Sequence, residues 1–387
     1  MTTLPAFADD FLLRPDMAFF NHGSFGACPR PVFESYQNWQ RTLEAQPVEF
    51  LGRRINDLLE ESRKTLASFL NTGADNIVYV PNATYGVNIV AHSLQLQPGD
   101  EILGTDQEYG ACERAWQFNG LRNGSKYVTQ AIDINNLPNE QAFVDQLWQG
   151  VNERTKVLFI SHITSSTATV YPLAELCRRA RAEGIITVID GAHAPGQIDI
   201  DLAAIDADFY TGNCHKWLCS PKSAAFLYAR PEWQPKLDPL VVSWGWQSRN
   251  PRESTFLDYF EWRGTHDPAA YLAVPDAIKY QQDRDWTSVR AACHDLANQT
   301  RHRVSELTGM PLVHDDSNTW WSQMTLLPFA DDCDISTVKA RLWDEFTIEI
   351  PEVAWNNRKF LRLSIQTYNS PEQADRLIAA LKQILGK

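Results

Sequence analysis

Two apolar segments of this chain end in residues able to do covalent chemistry. Thr187-Val188-Ile189 runs into Asp190-Gly191-Ala192-His193, and a later short apolar segment leads into Asn213-Cys214-His215-Lys216-Trp217. A lysine amine can condense with an aldehyde, and a buried carboxylate can keep a heteroaromatic ring nitrogen protonated so that the ring withdraws electrons. A lone Asp after a strand also caps turns, and a lone Lys is ordinarily a solvated surface group. It is the two together, each beside a histidine and each at a strand end, that point to pyridoxal phosphate.

The elements that must carry these groups alternate between strand and helix. Helical periodicity covers Glu49 to Leu70, with Arg53, Arg54, Asp57, Glu60 and Arg63 assigned to a charged face. Strands are expected at 76–80, from Glu101, and at 156–161, 185–189 and 226–229, with helices at 87–96 and 173–183 between them. This rhythm implies right-handed crossovers and a mostly parallel sheet covered on both faces, whose ligands sit at the carboxyl ends of the strands. Pro231 to Arg263, rich in Trp, reads as an ordered connection. Helices at 269–284, 287–307 and 371–385, with strands at 320–327, 347–350 and 360–364, make a smaller α+β unit. The expected fold class is therefore α/β, divided into an N-terminal arm (1–20), a large domain (21–265) and a small C-terminal domain (266–387).

At 387 residues the chain is long enough for one large core and a second, smaller one. Its net charge of −13 argues against binding nucleic acid through a basic face. The seven cysteines are scattered and form no C-x-x-C pair, so neither a disulfide framework nor a metal site is expected. Met1 to Leu13 lacks a basic n-region, and no apolar run approaches the ~20 residues of a membrane span, so a cytoplasmic protein is expected.

The joint occurrence of N-A-T-x-G-x-N at Asn82, E-Y-G-A at Glu108, D-G-A-H at Asp190, H-K-W at His215, R-G-T at Arg263 and R-x-S at Arg362 resembles the class V aminotransferase group of fold-type-I pyridoxal phosphate enzymes. Within that group, which includes cysteine desulfurases, it resembles the branch of isopenicillin N epimerase and hercynylcysteine sulfoxide lyases. The resemblance implies that Lys216 carries the cofactor and later removes the substrate's Cα proton, and that Asp190 pairs with the ring nitrogen. It places Ala83 and Thr84 at the phosphate, with Asn213 and His215 completing that site, Tyr109 on the ring face, and His193 at the phenolic oxygen. Ser165 stands where desulfurases carry an asparagine. Arg362 is implied as the grip on an α-carboxylate, Asn21 and His22 as part of a segment folding over the substrate, and Thr265 as a residue reaching the partner's phosphate site in a homodimer.

The reaction is expected to begin at Cα of an amino acid. Leu342 to Leu361 contains no cysteine and Cys333 lies well before it, which disfavours a persulfide-forming desulfurase. Nothing suggests a second acceptor for transamination. Epimerisation needs a proton donor on the face opposite Lys216, whereas β-elimination needs only Lys216 and a leaving group. A C–S lyase giving pyruvate and ammonia is therefore read ahead of an epimerase, and a catalytically silent cofactor-binding protein comes last, because Lys216, Asp190 and Arg362 are all present.

Overall fold

A computed structural model describes residues 7–387; the first six residues of the expected N-terminal arm lie outside the described residues. A short strand, β1 (Ala18–Phe19), comes first. The central sheet follows, built from β2 (Ile77–Val80), β3 (Glu101–Thr105), β4 (Lys126–Gln130), β5 (Thr155–Ser161), β6 (Ile186–Asp190), β7 (Phe209–Asn213) and β8 (Ala225–Ala229). Its order is β2-β8-β7-β6-β5-β3-β4, and within it only β8 runs antiparallel, pairing with β2 on one side and β7 on the other. A second sheet joins β9 (Met324–Phe329), β11 (Glu352–Trp355) and β12 (Arg358–Ser364), while β10 (Ile348–Glu349) pairs with β1.

Strands β2, β3, β7 and β8 are buried along their whole length and β6 in all but its first residue, as expected of a sheet sandwiched between helices. Val78, Val157, Phe159 and Val188 pack with Val87, Val90, Cys112 and Trp116 from the helices Ala83–Ser93 and Gly110–Asn123. Tyr79, Leu158, Ile160 and Ile189 contribute to a larger core that continues into the C-terminal unit through Trp321, Leu327 and Leu363. Among the described residues no helix is long and apolar enough to cross a membrane.

Several expectations shift. Arg63, assigned to a charged helix face, is buried; its Nη1 donates to the Ala74 carbonyl at 2.5 Å and its Nε lies 2.5 Å from Glu261. A charged residue at a helical position can satisfy both the polar and the core reading, and only the distant acid decides which. The strand expected at 320–327 begins at Met324, because Trp320 and Trp321 are engaged elsewhere: Trp321 stacks on His294 at 3.8 Å and donates to the Asp315 carbonyl. In the Trp-rich connection, Trp233 donates to Asp208 Oδ1 at 2.9 Å, whereas Trp244 and Trp246 are exposed.

Candidate active site

The carboxyl ends of β2, β3, β5, β6 and β7 open into one cavity of about 280 Å³. It is lined by Asn82, Ala83 and Thr84 after β2, Tyr109 after β3, Ser161 and Ser165 at and beyond the end of β5, Asp190 and His193 after β6, and Asn213, His215 and Lys216 after β7. Lys216 owes its place to the antiparallel β8. The tight return keeps Asn213 opposite Ala225, and the Ala224 carbonyl accepts the N–H groups of Cys214 and His215 together with His215 Nδ1. With Nδ1 donating, the unprotonated nitrogen of neutral His215 is Nε2, and burial pushes this ring down to about 4.

Lys216 Nζ lies 3.3 Å from His193 Nε2. Burial, reinforced by the Arg362 guanidinium, pushes the lysine down to about 8, so a nucleophilic amine is available near neutrality. Asp190 is buried; its Oδ1 accepts the Ala192 N–H at 2.9 Å and its Oδ2 faces the Cys112 thiol at 3.5 Å. Burial raises its carboxyl above the ordinary value, and no cation forms an ion pair with it among the described residues. A protonated ring nitrogen is the partner such a carboxylate lacks.

The helix Ala83–Ser93 starts at the cavity wall, where its N-terminal end favours anions. Asn82 Oδ1 caps Tyr85 N–H at 2.9 Å, and Asn213 Oδ1 accepts Ala83 N–H at 2.8 Å. Asn213 therefore braces the turn that follows β2, with Thr84 between these two capped positions.

Arg362 is buried and forms no ion pair among the described residues. Its Nη1 donates to the Ser165 carbonyl at 2.5 Å and to Ser165 Oγ at 3.1 Å, its Nη2 donates to Ser24 Oγ at 3.3 Å, and its Nε has no hydrogen-bond partner. Burial lowers it to about 10. A desolvated guanidinium held by neutral oxygens calls for an anion, and a carboxylate fits its fork. Ser165, left without a firm role by the sequence, anchors this arginine.

Asn21 and His22 stand behind the wall. Asn21 Nδ2 donates to Glu349 at 2.8 Å. His22 is fully buried, donating from Nε2 to the Lys216 carbonyl at 3.0 Å while Nδ1 accepts from Tyr368 at 2.9 Å. Their neighbours Ser24 and Phe25 line the cavity instead. The segment passes so close to Lys216 that a Cβ on Gly26, at φ +71°, would collide with the His215 carbonyl oxygen. Gly26→Ala is expected to cost about 2 kcal/mol, seen as a lower melting temperature together with weaker cofactor retention.

Thr265 is exposed on its loop and does not line the cavity of its own chain, while the neighbouring Arg263 is pinned by the Tyr79 carbonyl (2.9 Å) and Tyr271 Oη (2.6 Å). Glu108, which the sequence marked only as part of a motif, is buried under the site. It accepts from Thr105 Oγ1 at 2.7 Å and from the backbone N–H and hydroxyl of Ser161 at 2.8 and 2.6 Å, and burial raises it to about 8. It fixes the ends of β3 and β5 on which Tyr109 and Ser161 stand. A carboxyl followed by an aromatic at a strand end was the available signal.

A lysine amine, an unpaired buried carboxylate and a helix N-terminus meet at one cavity of this sheet, and behind its Ser24 and Ser165 lies a guanidinium without an ion-pair partner, an arrangement that fits a fold-type-I pyridoxal phosphate enzyme. The chain belongs to the aminotransferase class-V family, whose profile matches residues 26–377. It is 35% identical to the isopenicillin N epimerase of Amycolatopsis lactamdurans, over 96% of each chain. It is 26% identical to the hercynylcysteine sulfoxide lyase of Schizosaccharomyces pombe, covering 78% of each. Its fold matches the apo cysteine desulfurase of Thermococcus onnurineus NA1 with a TM-score of 0.84, at 20% identity over 100% of both chains. The cofactor is pyridoxal 5′-phosphate, and the protein is an enzyme of the lyase or epimerase kind.

Proposed function

We infer that the enzyme removes the Cα proton of an amino acid and expels a sulfur-bound group from Cβ, with pyruvate and ammonia as products. When bound, the cofactor supplies an electron sink for the charge left at Cα. Arg362 orients the substrate through its α-carboxylate, Asp190 holds the proton on the ring nitrogen, and Lys216 Nζ takes the proton from Cα. The Cβ–S bond then breaks with its electron pair leaving on sulfur, and water hydrolyses the released unsaturated amine to the keto acid and ammonia.

The observation that carries this reading is the distribution of bases. Among the cavity-lining residues Lys216 is the only amine, the His193 lone pair is held by Trp217, and His215, kept neutral with its N–H committed to the Ala224 carbonyl, has no proton to deliver to a second face. One base suffices for elimination. Incubation with S-substituted cysteines or their sulfoxides should yield pyruvate; Cα deuterium exchange with inversion and no pyruvate would overturn the reading. That outcome belongs to epimerisation, the second reading, which is favoured by the 35% identity to an epimerase and by the exposed Tyr109 phenol at the cavity.

The lysine also sets a pH dependence. Its value in the folded protein, about 8, is below the ordinary 10.5, so its nucleophilic form is lost as pH falls below about 8. Loading of the cofactor-free protein is expected to accelerate about tenfold per pH unit up to about 8 and then level off, as read by absorbance after mixing. In the window between those two values the unfolded chain binds the extra proton, so the cofactor-free protein should gain stability as pH rises through it.

The exposed Thr265 beside a pinned Arg263 supports a homodimer in which this loop serves the partner subunit's phosphate site. Sedimentation equilibrium should show a dimer, and a fully loaded, active monomer would refute the arrangement.

A further inference from the structure

His193 lies between an indole N–H and the Lys216 amine, which accepts a hydrogen bond in its neutral form. The Trp217 indole nitrogen is 3.3 Å from His193 Nδ1, and Lys216 Nζ is 3.3 Å from His193 Nε2. An indole N–H can only donate, so Nδ1 must present its lone pair, and a neutral imidazole then carries its hydrogen on Nε2. The ring is neutral because burial, with the Lys216 and Arg362 charges nearby, holds it well below its ordinary value.

The indole itself cannot swing away. Trp217 is fully buried, its ring lies 4.8 Å from that of His22, and its carbonyl accepts from Gln281 Nε2 at 2.8 Å. A Cβ on Gly196 would strike that same carbonyl, so the backbones touch there and fix the height of the indole.

We propose that Trp217 is a positioning residue that locks His193 as the Nε2–H tautomer, making it a permanent hydrogen-bond donor towards the lysine and the cofactor's phenolic oxygen and barring it from acting as a base at that atom. Donation at Nε2 stabilises negative charge on the oxygen it meets. Because the only lone pair of His193 is held by the indole, His193 is excluded as a base and Lys216 remains the base at Cα. The inference holds whichever product the enzyme releases.

The decisive measurement is ¹⁵N NMR of the histidine rings in cofactor-free wild-type protein, with His193 assigned by its loss in His193→Gln. A pyrrole-like Nε2 and a pyridine-like Nδ1 are expected; the opposite pattern, or a doubly protonated ring at neutral pH, overturns the proposal. Trp217→Phe keeps an aromatic ring against His22 and removes only the donor. It should populate the Nδ1–H tautomer and raise the pH midpoint of the bound cofactor's visible absorbance by about one unit, since a donor to an anionic oxygen is lost. An unchanged tautomer and an unchanged midpoint in a folded, loaded variant would remove Trp217 from this role. If the variant fails to fold, the wild-type spectrum still decides the tautomer.

Discussion

Lys216→Ala is expected to leave a folded protein that binds the cofactor without a covalent link and turns over at least about 10⁴-fold more slowly than wild type. Two functions disappear with one amine: attachment of the aldehyde and abstraction of the Cα proton. The side chain is buried and lowered to about 8 by desolvation, so its removal relieves a strained charge, and the melting temperature of the cofactor-free protein should not fall. Borohydride treatment followed by peptide mass analysis checks the link directly, with label at Lys216 in the wild type and none in the variant. Retention of covalent cofactor by Lys216→Ala would transfer the role to another lysine.

Asp190→Asn is the second large effect. The amide matches the carboxylate in shape and can still accept the Ala192 N–H that Oδ1 now receives at 2.9 Å. It cannot carry the negative charge that keeps a ring nitrogen protonated. Breaking a buried charge pair costs about 3–5 kcal/mol, so turnover should drop by about 10²–10⁴-fold with substrate affinity little changed. Cofactor content and the covalent link should survive, which separates this variant from Lys216→Ala. A rate within a few-fold of wild type would mean that Asp190 does not face the ring nitrogen.

Much of the site was legible in the primary structure because its chemistry sits at strand ends, where sequence neighbours are spatial neighbours. Asp190, His193, Asn213, His215 and Lys216 fall at or just beyond the ends of adjacent parallel strands, so two short motifs place them together. Thr84 was readable for the same reason, at a strand-to-helix turn.

The opaque parts depend on contacts across more distant sequence. Asn21 and His22 look like substrate-binding polar residues until Glu349 and Tyr368, more than 300 positions away, are seen to hold them. Ser24 and Phe25, which do line the cavity, carry no pattern of their own. Strand β4 escaped because, at the sheet edge, none of its residues is buried, so its composition lacks the apolar run of a core strand. Strand β7 was legible only as a short apolar segment without bounds, because it ends in the polar and small Thr211-Gly212-Asn213.

The stretch from Ala18 to Gly26 is stitched on one side to β10 and on the other to the backbone of the lysine loop through His22. Ser24, near its end, accepts from the buried Arg362 guanidinium. The segment therefore ties β10, the Arg362 guanidinium and the backbone beneath the lysine into one fabric, so a substitution that displaces it is expected to disturb all three together.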